Sequence, residues 1–186
     1  MQRMNIYIIG YRGSGKTSVG SHLAERLGWA YMDTDDRLVE KEGISIREIV
    51  SQRGWAAFRQ LEKAVVKETC LLERHVVATG GGVVLDPDNI ETMKTSGTVV
   101  WLKASPEIIK ERLGLDRKTN GYRPALTRGG TLEEIETVLA ERLPLYEAAG
   151  HISVETDHRS VQDICDEILS NRLKALRSLR LERSGR

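Results

Sequence analysis

The chain has no apolar run near the roughly 20 residues that span a bilayer. Its start, Met1-Gln2-Arg3-Met4-Asn5, enters a strand-like run at once, without the apolar stretch of a secretory signal. A cytoplasmic protein with no membrane contact is therefore expected. Cysteine is scarce: Cys70 and Cys165 stand alone on helix-patterned segments, outside any CxxC or Cys/His spacing. That argues against a disulfide framework or a zinc site and reads both as apolar fillers. Internal repeats and low-complexity linkers are missing too, so the 186 residues read as one domain, 1–171, followed by a tail. A domain of that size buries a core without metal or disulfide support. Net charge is nearly absent at +1, but it is unevenly spread. Residues 172–186 hold six Lys/Arg against Glu182, a charge of +5, which leaves −4 for the body. A body of that sign is a poor match for nucleic acid. The basic tail 172–186 carries Leu173, Leu176 and Leu179, a spacing that suits a short amphipathic helix or a frayed solvated end.

What is present is alternation. Short apolar runs at Asn5–Ile9, Trp29–Met32, His75–Thr79, Thr98–Leu102 and His151–Glu155 read as strands, with helical patterns between them. Ser45-x-x-Glu48 and Thr131-x-x-Glu134 fit the capping box, and Asp86-Pro87 and Ser105-Pro106 fit a capping residue followed by proline. Gly28, Gly97 and Gly114 sit where helices should stop. Strands alternating with helices imply an α/β fold, a parallel sheet covered on both faces, whose ligands collect beyond the carboxyl ends of the strands.

The segments at those ends are chemically pointed. Gly10-Tyr11-Arg12-Gly13-Ser14-Gly15-Lys16-Thr17 between a strand and a helix is a phosphate-binding loop. Backbone N–H groups around Gly13, Ser14, Gly15 and Ser18 form a nest, Lys16 reaches the β/γ oxygens and Thr17 offers a hydroxyl to Mg²⁺. Asp33 and Asp35 follow the second strand. Two apart in an extended segment, both would face the crevice, where one acid could hold hydrated Mg²⁺ and the other deprotonate a hydroxyl; a plain helix cap at Asp33 or Thr34 accounts for them equally well. Gly80-Gly81-Gly82 reads as backbone lining a ligand or as a tight turn. Arg142 lies within the apolar stripe Ile135, Val138, Leu139, Leu145, Tyr146, so it needs an anion, either an acidic side chain or a ligand. Arg59 precedes Glu62 by three, a spacing that serves a surface ion pair unless Arg59 overhangs the crevice. The polar, basic stretch Gly114–Pro124, with Arg123 near its end, has the composition of a lid or of an ordinary surface loop.

In order and spacing, the loop Gly10–Thr17, Asp33-Thr34-Asp35, Phe58-Arg59-x-x-Glu62, Gly80-Gly81-Gly82, Arg123-Pro124 and Arg142-x-Pro144-Leu145-Tyr146 resemble shikimate kinases, members of the nucleoside monophosphate kinase group of P-loop proteins. The likeness runs from about Asn5 to Asn171. It implies a three-layer fold with a five-stranded parallel sheet in the order 2-3-1-4-5, a substrate-binding segment near 33–62, and a mobile lid near 112–125. It implies transfer of the ATP γ-phosphoryl group to the 3-hydroxyl of shikimate, by a monomer that uses Mg²⁺. By this resemblance Thr17 and Asp33 hold the metal, Asp35 binds the substrate diol and acts as base, and Lys16 and Arg123 stabilise the phosphoryl group. Arg59 and Arg142 clamp the shikimate carboxylate beside the glycines at 80–82, and Arg112 and Arg159 border the adenine. Three features depart from the family pattern: Trp55 follows Gly54 where an acid is usual, the stretch from Arg112 to Arg123 is longer, and Arg123-Pro124 is followed by Ala125-Leu126 where two leucines are common.

Overall fold

Every residue of β1 (Asn5–Ile9) is buried on both sides, as expected of a central parallel strand that reads as a continuous apolar run. The computed structural model describes residues 5–115 and 132–184, with side chains through Lys174. In it β1 is the middle of a sheet ordered β2-β3-β1-β4-β5. The other strands are β2 (Ala30–Asp33), β3 (His75–Ala78), β4 (Gly97–Lys103) and β5 (Ile152–Glu155), and all neighbours are parallel. Seven helices connect and follow them among the described residues: α1 (Lys16–Leu27), α2 (Thr34–Glu42), α3 (Ile46–Thr69), α4 (Pro87–Ser96), α5 (Pro106–Leu115), α6 (Leu132–Ala149) and α7 (Val161–Ser184).

Alternation along β1 divides the core. Ile6 and Ile8 pack with Val19 and Leu23 of α1 and Ile164, Cys165 and Ile168 of α7 on one face. Tyr7 and Ile9 pack with Val66, Met93 and Tyr146, from α3, α4 and α6, on the other. Two smaller clusters hold the ligand-side segments. Leu38, Ile46, Ile49, Phe58 and Val65 join α2 to α3, and Tyr11, Ile109 and Ile135 tie the first loop to α5 and α6. Cys165 is buried and Cys70 half-buried, both as free thiols.

The helix signals behave as their chemistry dictates. Ser45 and Glu48 form the reciprocal capping box at α3, and Asp86 accepts from Asp88 N at α4. Gly28 closes α1 in the left-handed conformation. Gly97 follows α4 in an extended conformation and opens β4, while Gly114 lies inside the last turn of α5. Gly54 interrupts α3 with φ 80°, a region open to glycine and strained for other residues, so residues after it start a fresh helical run. The box at Thr131, the lid beyond Leu115 and Arg123 lie outside the described residues. α7 continues through Ser184, so the start of the basic tail, Arg172 to Lys174, is helical. No described helix is long and apolar enough to cross a membrane.

The amino end of the sheet is tied by polar bonds. Buried Asn5 donates Nδ2 to the carbonyls of Thr69 and Leu72 and accepts from His75 N, fixing β1 against the α3–β3 connection. Asn5→Ala strands these three groups, and a loss of about 3 kcal/mol is expected from lost bonds and unsatisfied partners. Urea unfolding checks it, with a loss under about 1 kcal/mol counting against this account.

Candidate functional site

The carboxyl ends of β1, β2 and β3 open into two joined cavities. The larger, an open cleft of about 2500 Å³, is lined by the loop from Arg12 to Ser18, by Asp33 and Asp35, and on its far side by Arg112, Thr156, Arg159, Val161 and Ile164. The smaller, about 460 Å³, is lined by Ile46, Trp55, Phe58, Arg59, Glu62, Gly80, Gly81, Gly82 and Arg142. Arg12, Asp35 and Ile46 border both. A group bound in one cavity therefore meets a group bound in the other beside Asp35.

In the first cavity, positive-φ glycines at 10, 13 and 15 turn the loop into the start of α1, whose first residue is Lys16. The Lys16 ammonium, nearly buried, donates to the Tyr11 carbonyl at 2.7 Å and so lies folded across the loop. Ser14 Oγ is buried with no hydrogen-bond partner among the described residues. Such a hydroxyl inside a nest of backbone N–H groups, at the positive end of a helix, is complementary to phosphate. Arg112 bonds the Gly13 carbonyl (3.3 Å) and both the hydroxyl and carbonyl of Thr156, pinning α5 to the loop and to the end of β5. Arg159 is held by Glu167 at 2.6 Å and by the Glu155 and Asp163 carbonyls.

Thr17 Oγ1 donates to Asp33 Oδ2 at 3.3 Å, while Asp33 Oδ1 accepts from Asp35 N at 2.9 Å and caps α2. The cap and the reach toward Thr17 are thus two ends of one carboxylate. The extended geometry expected through Asp35 does not occur. α2 begins at Thr34, because the Asp33 cap supplies a partner for the Asp35 N–H, and Asp35 faces the cavities from the first helical turn. A hydroxyl and a carboxylate beside a phosphate nest are hard oxygen donors. Among the described residues no three His, Cys, Asp or Glu side chains gather into a cage. That donor set fits Mg²⁺, which takes one or two protein oxygens and completes its shell with phosphate and water.

The second cavity depends on glycines. A Cβ on Gly80 would lie 2.8 Å from both Asp35 Oδ1 and Glu62 Oε1, and one on Gly82 would collide with the Arg59 guanidinium. The Gly80 N–H is anchored to Thr34 Oγ1 (3.2 Å), and the Gly81 carbonyl accepts from Arg142 (3.2 Å) and Tyr146 Oη (2.5 Å). Burial pushes the Tyr146 hydroxyl up to about 12, so it remains a donor at any working pH. The N–H groups of Gly81 and Gly82 have no partner among the described residues. Arg59 does overhang the crevice. Its guanidinium lies 5.1 Å from the Phe58 ring centre and 5.6 Å from that of Trp55, and it pairs with Glu62 at 2.6 Å. Arg142 is buried at 8% exposure, bonds a carbonyl and leans on the Tyr11 ring at 5.9 Å. It makes no salt bridge with any described acid.

Sequence reasoning missed Arg12, whose signal was a cation inside the phosphate loop, and Ile46; Trp55, singled out as a departure from the family pattern, lines the smaller cavity. Glu62, at 2% exposure, keeps Oε1 without a partner. Desolvation raises its pKa above the ordinary 4.5, with Asp35 adding to the rise and Arg59 opposing it. A native value raised above the unfolded one means the folded chain holds the proton more tightly. Stability is then fully present below pH 4.5 and falls as pH rises through the folded value. Urea midpoints measured at successive pH values should show this decline, and Glu62→Gln should flatten it; an unchanged slope in the variant would assign the titration elsewhere.

Comparison with known proteins agrees with this geometry. The family model described as shikimate kinase matches residues 12–172. The shikimate kinase of Syntrophus aciditrophicus is 43% identical over 173 residues, 89% of each chain. The structure of the Acinetobacter baumannii shikimate kinase in complex with shikimate superposes with a TM-score of 0.86 at 34% identity, covering 93% of this chain and 94% of that one. A gluconokinase from Sinorhizobium meliloti 1021, at 16% identity and a TM-score of 0.54 over 97% of this chain and 98% of that one, shares the fold alone. Matches of this extent to sequence and structure together admit one assignment: the chain belongs to the shikimate kinase family.

Proposed function

We propose that the two cavities hold ATP and shikimate, and that the chain transfers the γ-phosphoryl group to the shikimate 3-hydroxyl, giving shikimate 3-phosphate and ADP. The carrying observation is that the phosphate loop's cleft and an arginine-walled cavity meet at one carboxylate, Asp35. Shikimate is a small monoanion with three hydroxyls. Arg59 and Arg142 at one end and Asp35 at the other fit its carboxylate and its diol, so its orientation is fixed before reaction. A relative whose structure is in complex with shikimate supports this choice of acceptor. Gluconate remains the weaker alternative, because its relative shares the fold alone.

In this reading the γ-phosphate lies near Lys16 and Arg12, beside the Gly13–Ser18 backbone. Thr17 and Asp33 are the residues to hold Mg²⁺, which when bound would neutralise charge on the β and γ oxygens. Asp35 accepts the proton of the 3-hydroxyl as that oxygen bonds to the γ-phosphorus. The bond from phosphorus to the β–γ bridging oxygen breaks, and ADP leaves with the bridging electrons. Lys16 leaves its resting bond to the Tyr11 carbonyl to face the developing charge. Arg123, outside the described residues, is assigned to the same charge by its place in the family motif. Glu62 orients Arg59, and Tyr146 orients the Gly81 peptide against Arg142. Arg112 and Arg159 close the adenine end through their bonds to Thr156, Glu155 and Asp163.

Two variants separate the roles. Asp35→Asn should lower kcat by roughly 10²- to 10⁴-fold, the range for loss of a general base, with ATP affinity nearly unchanged; an unaltered kcat would remove Asp35 as base. Arg142→Ala should raise the KM for shikimate by about 10²-fold, the scale of a lost charge-assisted pair, and leave ATP binding intact. Thermal destabilisation without a KM change would make Arg142 a packing residue instead. Both are read by coupled ADP release with shikimate varied at fixed ATP, and gluconate as the control acceptor.

A further inference from the structure

Tyr31 lies on β2 two residues before Asp33, so both side chains leave the same face of the strand. Its ring edge packs directly over α1: a Cβ on Gly20 would come within 2.8 Å of Tyr31 Cε2. The ring sits against the apolar cluster of Val19 and Leu23. A phenylalanine would fill that slot equally well. The hydroxyl nevertheless points at polar company. Its neighbours are the Thr17 hydroxyl and the Asp33 carboxylate, yet the oxygen is buried and makes no complete hydrogen bond among the described residues. A buried hydroxyl without a partner is destabilising relative to the same ring without it. Thr17 itself reaches Asp33 only at 3.3 Å, and that carboxylate's other oxygen is committed to the α2 cap. Asp33 Oδ2 is thus the loosely held acceptor of the group.

We propose that the Tyr31 hydroxyl is a positioning group for the cation site, donating to the Asp33 carboxylate when Thr17 and Asp33 hold Mg²⁺. This rests on the reading of Thr17 and Asp33 as the metal residues. Tyr31 is not itself a ligand. It acts through Asp33, fixing the carboxylate whose orientation the α2 cap determines at only one oxygen. Outer groups of this kind commonly carry a tenfold or larger share of metal affinity.

The test is Mn²⁺ binding, read by the loss of the free-ion paramagnetic resonance signal, to the full chain with saturating ADP. Wild type, Tyr31→Phe and Asp33→Asn are compared, with thermal midpoints taken in chelator. Tyr31→Phe is expected to weaken Mn²⁺ binding roughly tenfold, while its midpoint without metal stays equal to wild type or rises. Equal Mn²⁺ affinity in Tyr31→Phe and wild type would overturn the proposal while the metal reading stands, provided Asp33→Asn weakens binding. If Asp33→Asn also binds as wild type does, the reading of the metal residues has failed and the proposal falls with it. A lowered metal-free midpoint in Tyr31→Phe would also overturn it, since the hydroxyl would then have a structural partner.

Discussion

The site depends on the missing side chains at Gly80 and Gly82. Asp35, Glu62 and Arg59 come from α2 and α3, and they meet at the end of β3 only because its backbone carries no Cβ there. An alanine at 80 would push the two carboxylates outward, and one at 82 would displace the Arg59 guanidinium. The turn is firmly placed. Thr34 holds its first N–H and α6 holds its middle carbonyl through Arg142 and Tyr146. One backbone segment thereby holds side chains from α2, α3 and α6 together.

Charge in the acceptor cavity follows an unequal division. Two guanidinium groups stand on one side, and Glu62 is committed to only one of them. Burying an arginine without an acid is costly unless a ligand anion completes the pair. Under the proposed function the same imbalance would favour an anion, since a neutral polyol would leave Arg142 with a carbonyl and an aromatic face alone. Glu62 tempers the excess, while desolvation and Asp35 raise its pKa against the pull of Arg59. Asp35 therefore sits between a cationic loop on one side and the Arg59–Glu62 pair on the other.

The architecture was legible in the sequence because strong signals agreed with one another. After their polar first residues β1 and β3 are apolar, the Ser45 and Asp86 caps are local chemistry, and the phosphate loop follows β1 directly. Long-range contacts were less legible. The Asp33–Asp35 spacing suggested an extended pair, yet Asp33 satisfies the Asp35 N–H and the helix starts at Thr34, a choice made by a hydrogen bond that spacing does not reveal. The Arg142 pattern announced a buried cation but left the anion open, since periodicity fixes which face a side chain takes and not what lies opposite it. Arg12 was hidden by its motif: in the phosphate loop its position tolerates many residues, and only the meeting of two cavities gives its charge a place.

The two ends of the sheet handle polar burial differently, and this separates the part that folds from the part that works. At the amino end, Asn5 satisfies three backbone groups and Tyr7 Oη bonds Thr69 and Ser96, so buried polarity there is paired. At the carboxyl end Ser14 Oγ, Tyr31 Oη and Glu62 Oε1 are buried without partners among the described residues. Each such group costs about 1–3 kcal/mol when left unbonded, and Ser14 and Glu62 line the two cavities, so instability is concentrated at this end of the sheet. The paired end and the two core faces offset that cost. Under the proposed function, ligand atoms would supply the bonds that Ser14 and Glu62 lack, so the same groups that weaken this end of the fold would orient what binds there.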